Sequence, residues 1–178
     1  MACWNVVNHT ELSSGNATLI DVTSISSSYD HLYVVAKARG DVSDYKTTMN
    51  MRFNNDSGSN YGGNYLFSGG SGDISSYNKT SQTSILDIQI AGDFNLADTF
   101  STTEIWIPDY SNTTTNKTAI IQTSATGNSS TTYRQGLTQI AASWHDTSAI
   151  DRIQLYASST FDIMQYSSVT IYGINGAA

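Results

Sequence analysis

The chain is short of nearly everything that would announce a chemistry. Among its 178 residues there is one cysteine, Cys3, so no disulfide can close within it. Cys3 reads as a small residue near a terminus rather than a reactive thiol. Basic residues are scarce: 8 Lys and Arg stand against 15 Asp and Glu, a formal charge of −7. So few and so scattered cations exclude a nucleic-acid surface, which needs clustered Lys and Arg against phosphate. Charged residues of both signs make up 13% of the chain, about half the usual share. Ser, Thr and Asn fill the gap. No apolar run approaches the roughly 20 residues of a membrane-spanning helix. The first residues, Met1 to Asn5, carry neither the basic start nor the apolar stretch of a secretion signal, so synthesis in a cytoplasm without secretion is expected.

Catalytic and metal-binding patterns are equally thin. His9, His31 and His145 lie far apart in sequence and in no ligand spacing such as two His at i and i+4. The run from Ser68 to Gly72 only loosely resembles a nucleophile elbow, because Asp73 stands where the second glycine should be. The acidic residues could supply a glycosidase pair in principle, but Asp41, Asp44, Asp56, Asp73 and Asp109 sit beside turn signals, where a carboxylate ordinarily caps. Residues 54–58 offer oxygen ligands but lack the full loop and terminal Glu of an EF-hand. Asn-X-Ser/Thr sequons occur at Asn8, Asn16, Asn55, Asn78, Asn112, Asn116 and Asn128, a frequency expected of so much Ser and Thr. The expectation is a protein that is not an enzyme and has no cofactor and no metal.

What is present is alternation. Leu32, Val34, Ala36 and Ala38 share one side of a strand, and Tyr33, Val35, Lys37 and Arg39 the other. The pattern returns at Met49, Met51 and Phe53, and residues 31–61 read as the central part of one sheet with a polar loop at its rim. Residues 18–25, 61–67, 84–90, 104–107, 117–123, 137–144, 150–156 and 168–174 follow as strands, with Leu86, Ile88 and Ile90 inward and Ile85, Asp87 and Gln89 outward. Pro108 should end the strand before it, having no N–H to donate. Residues 134–143 are open to a short helical turn as an alternative. Roughly nine to eleven strands at such spacing indicate an all-β, antiparallel, jelly-roll-like sandwich. No linker or internal repeat divides residues 1–178, so one domain is expected.

Two groups of residues stand out as candidate contact surfaces. Trp4, Val6 and Val7 form an apolar start, and residues 1–12 are expected to be an N-terminal contact segment, touching a partner or another subunit. Tyr61, Tyr65 and Tyr110, with Tyr77 and Tyr133, lie in or beside stretches rich in Ser, Gly and Asn. That is the chemistry of antibody paratopes, and it predicts a loop binding surface.

Five stretches carry a family resemblance and together span nearly the whole chain. They are Thr18-Leu19-Ile20-Asp21-Val22, the run from Tyr29 to Arg39, and the run from Met51 to Tyr61. Ile150-Asp151-Arg152-Ile153-Gln154-Leu155 and Thr170-Ile171-Tyr172-Gly173-Ile174 complete them. The chain resembles small β-sandwich proteins of tailed-bacteriophage virions, which serve as head decoration (cement) proteins or as tail-fibre domains. The resemblance implies a non-enzymatic structural protein on the capsid surface, made in the host cytoplasm. It also implies the major capsid protein as partner and often a homotrimer, with no nucleic acid and no membrane. The alternative it carries is a tail-fibre or receptor-binding adhesin that recognises a host surface glycan. It transfers no catalytic residue.

Overall fold

The computed structural model describes residues 4–68, 74–128 and 133–176. The Gly69–Gly72 connection, Asp73 and Cys3 lie outside the described residues. Among the described residues there are twelve strands and no helix. In chain order they are β1 (Trp4–Glu11), β2 (Leu19–Val22), β3 (His31–Ala38), β4 (Lys46–Phe53), β5 (Tyr61–Ser68) and β6 (Ile74–Gln82). Then come β7 (Ile85–Ala91), β8 (Ser101–Ile107), β9 (Lys117–Asn128), β10 (Tyr133–Trp144), β11 (Ile153–Ala157) and β12 (Ser168–Ile174). An eight-stranded sheet runs β1-β12-β3-β8-β9-β10-β5-β6, and a four-stranded sheet runs β2-β11-β4-β7. Every pairing between strands is antiparallel.

Setting aside the hairpins β5–β6 and β9–β10 leaves β1-β12-β3-β8 over β2-β11-β4-β7. First strand pairs with last, and second with next to last, each pair in alternate sheets. That is the winding of a jelly roll. The two hairpins are inserted beyond β8 and double the width of one sheet only. The widened sheet curls around the β7 edge of the narrow one: the Tyr77 hydroxyl and the Lys79 ammonium of β6 both donate to Asp87 of β7.

The core lies between the sheets. Leu32, Val34, Ile105, Ile121, Ile140 and Ile171 of the wide sheet meet Met49, Met51, Phe53, Ile88 and Leu155 of the narrow one, all buried. Each comes from one side of a strand, as a period of two requires. Pro108 follows the last residue of β8, and residues 134–143 are strand throughout.

Three sequence expectations need correction, and one strand was not foreseen. Residues 31–61 are not one sheet, for β3 belongs to the wide sheet and β4 to the narrow one. Alternation reports which side of a strand is apolar, and both sheets of a sandwich share that core. In β7, Ile85 is buried and Leu86 is not. Asp87 adopts a left-handed φ of 59° within a bulge that sets Met49 opposite Ile88 but Met51 opposite Ile85, and an extra residue reverses the phase. Strand β6 is polar except for Ile74 and Tyr77, so hydrophobic periodicity gave no sign of it. Arg39 does not face solvent. It is buried and donates to the Leu96, Asp93 and Asn95 carbonyls and to the Asp93 carboxylate, pinning the loop before β8.

The loop after β4 is a turn built on side-chain caps. Asn54 and Asn55 take left-handed φ values of 50° and 57°, which Asn tolerates. Asp56 accepts from the Gly58 amide (2.7 Å), the Asn60 side chain (2.8 Å) and the Trp144 indole (2.7 Å). Burial pushes its pKa up, but these donors outweigh it and hold the carboxyl below the usual value.

Candidate functional site

The three tyrosines expected to form a loop surface do not face solvent. Tyr61, Tyr65 and Tyr110 are all buried. Tyr61 points inward from β5 and stacks on Trp144 at 6.1 Å, while its hydroxyl accepts from the Phe53 amide and donates to the Phe53 carbonyl. Tyr65 stacks on Tyr77 at 4.9 Å and accepts from the Leu86 amide. Tyr110 donates to the Ser26 carbonyl. Burial raises the pKa of all three phenols. The physical reason lies in their neighbours: small and polar residues leave a tyrosine ring only the core in which to bury its area. Its hydroxyl then caps a backbone group nearby. The Tyr133 side chain lies outside the described residues.

The outer face of the wide sheet holds Trp4, Val6, Leu66, Ile74, Ile120 and Leu137, most of the exposed large hydrophobic residues among those described. The register sets Val6, Tyr172, Tyr33, Trp106, Ile120, Ala141, Asn64 and Asn78 in one row across all eight strands. The next row reads His9, Thr170, Val35, Glu104, Gln122, Gln139, Leu66 and Ser76, and the third Glu11, Ser168, Lys37, Thr102, Ser124, Leu137, Ser68 and Ile74. Only Glu104, Glu11 and Lys37 are charged in the three rows. Depletion of charge together with Tyr and Trp is the composition of an interface core.

This face has two halves. In the β1-β12-β3-β8 half, the Trp4 ring packs edge-on against Tyr33 (5.1 Å) and Tyr172 (6.0 Å), and His31 tilts against Trp106 at 5.2 Å. Burial, and then a hydrogen bond to Glu104, raise the Tyr33 pKa. Trp4 is 51% and Val6 62% exposed, so two of the three expected contact residues are open on a strand at the sheet's edge. Val7 is the exception, partly buried and packed on the core. A bulge between Val6 and Asn8 reverses the side on which it falls.

In the β9-β10-β5-β6 half the rings give way to exposed aliphatic side chains, Leu66, Ile74, Ile120 and Leu137, and at Gly62, Ala141 and Ser143 the side chains are small. Gly62, Ala141 and Ser143 floor a depression of about 500 Å³, with Asn64, Asn78, Thr118 and Ile120 around it. Ser143 Oγ lies 3.1 Å from His145 Nε2. No carboxylate among the described residues pairs with that imidazole, so the orienting third group of a nucleophilic triad is missing. His9 bonds Thr170, and His31 accepts from the Asp109 amide. Among the described residues no three His, Cys, Asp or Glu side chains gather closely enough to hold a metal ion.

The outer face of the narrow sheet is different in kind. Arg152 forms a two-pronged pair with Asp21, which holds that carboxyl below its usual pKa. Arg52 lies over the Tyr156 ring at 5.0 Å and donates to its hydroxyl and to the Thr83 carbonyl. Its cations are already partnered.

The residues missed from sequence are Tyr33, Trp106, Tyr172 and Ile120. A signal for the first was present: Tyr33 and Val35 make the second side of β3 apolar as well, which a strand facing water does not need. Comparison with known proteins adds nothing further, since no family model, curated protein or solved structure matches the chain.

Proposed function

We propose that the protein is a non-enzymatic structural component of a tailed-bacteriophage virion, a decoration protein that seats on the major capsid protein. The observation that carries this reading is the aromatic cluster of Trp4, Tyr33 and Tyr172 beside Val6, with Trp4 and Val6 open to solvent on the edge strand of the wide sheet. The family resemblance of the sequence supplies the virion context. A jelly roll holds such a patch without reorganisation, so little entropy opposes its docking. Copies arranged as a homotrimer on a repeating shell would add weak contacts into firm attachment. The patch includes β1, the edge strand of the wide sheet, so neighbouring subunits can share it with the capsid beneath.

The test is electron microscopy of particles carrying the protein, paired with light scattering of the purified chain. Density of this fold on the head, together with a trimeric mass in solution or on the lattice, is the expected result. Density confined to tail fibres overturns the decoration reading in favour of an adhesin.

A further inference from the structure

We propose that the depression on the hairpin half of the wide sheet binds a short neutral oligosaccharide. The site is independent of the capsid reading. It borders the aromatic half where Ile120 pairs with Trp106, and its floor lies one and two strands further on, at Ala141 and Gly62.

The depression is built by the backbone as much as by side chains. Opposite Gly62 the register slips, pairing Tyr61 with Gln82 and Gly63 with Lys79, and Ser81 takes a φ of 55°. This bulge places Thr80 and Ser81 along one rim. The floor stays low because Gly62 has no side chain, and a Cβ there would sit 3.3 Å from the Lys79 carbonyl and 3.5 Å from Ser143 Oγ. Ala141 continues the floor between Ile120 and Asn64 in the register.

The groups around this floor select the ligand class. Asn64 and Asn78 each offer an amide that can donate and accept, and Thr118, Ser143 and His145 add hydroxyl and imidazole groups. Paired donor and acceptor groups match vicinal sugar hydroxyls. Ile120, 55% exposed, supplies an aliphatic surface for the C–H face of a ring. An anionic ligand is disfavoured: the one cation at the site, Lys79, is already paired with Asp87, and the chain is acidic overall. A purely apolar ligand would strand the amides without partners. Asn78 to Ile120 spans three strand spacings, about 14 Å, enough for a di- or trisaccharide. The volume also falls in the range of ordinary ligand sites.

The experiment screens the purified chain on an array of neutral oligosaccharides, then titrates a bound sugar while following backbone amide resonances. Shifts confined to residues 61–64, 78–81, 118–120 and 141–145 are expected. Ala141→Phe fills the floor and should abolish binding. Asn64→Ala with Asn78→Ala, both at exposed positions, should weaken it by about tenfold or more, and provides the test if the first variant fails to fold. Trp4→Ser, on the other half, should bind unchanged. The proposal is overturned if no neutral sugar shifts these residues at concentrations up to about 10 mM. Charged ligands binding in place of neutral ones, or full affinity in the floor or amide variants, overturns it equally.

Discussion

The two sheets bury the same kind of inner face and present opposite outer ones. Outward positions of the wide sheet carry Trp4, Tyr33, Trp106 and Tyr172 with almost no charge, and Trp4 remains half exposed. Outward positions of the narrow sheet carry Asp21, Arg52 and Tyr156, tied to one another or to Arg152. The difference teaches where free energy is still to be gained. A paired and solvated surface loses as much by desolvation as it regains on contact, whereas uncovered aromatic area gains by being covered. The narrow face turns paired charges to water, and the wide face leaves Trp4 and Val6 open to it.

The largest expected effect lies on the wide face. Trp4→Ser combined with Val6→Ser should lower particle occupancy by about 100-fold, the effect of losing a central aromatic anchor. Thermal unfolding should be nearly unchanged, because both side chains lie outside the core. Val7 is best left intact, as it packs inward. Unchanged occupancy in a folded double variant would dissolve the contrast between the faces.

The next effect separates the rim from both faces. Asp56→Ala leaves the buried Trp144 indole N–H and the Asn60 amide without their acceptor, at a cost of about 2 kcal/mol. The midpoint in urea should drop while occupancy of particles at moderate temperature is retained. A variant as stable as the parent would show that solvent replaces the carboxylate there.

Acid sharpens the contrast further. Asp21 and Asp56 are both held below their ordinary value of 3.8. Their contribution to stability is therefore complete above that pH and is lost as pH falls through their lowered folded values. Unfolding followed against pH should show a loss of stability beginning near pH 4 and deepening below it. In Asp56→Asn the loss should be shallower; an identical acid profile would remove Asp56 from the account.

The smallest effect is predicted for the narrow face. Arg152→Gln should shift the unfolding midpoint only modestly, as removal of a half-buried, solvent-screened ion pair does, and should leave particle occupancy at the parental level. If this substitution released the protein from particles, the narrow face would be the docking surface and the roles of the two sheets would be exchanged.

The sequence by itself determined the class of fold. Leu32, Val34, Met49, Met51, Ile171 and their kind alternate with a period of two, and no helical period competes, so an all-β sandwich followed from local pattern. Pro108 and the residues 54–58 turn were legible for the same reason, since their chemistry acts within a few residues of itself. Tertiary structure decided the rest. Which sheet each strand joined, and the pairing of β1 with β12, depend on hydrogen bonds between residues more than 150 positions apart. The phase of β7 and of Val7 turned on single-residue bulges. The tyrosines of residues 61–110 looked like a surface because composition cannot tell a ring beside a loop from a ring beneath it. The aromatic patch came together only when the register aligned Val6, Tyr172, Tyr33 and Trp106, drawn from four separate strands, in one row. A strand's own residues fix what it buries; its neighbours fix what it shows.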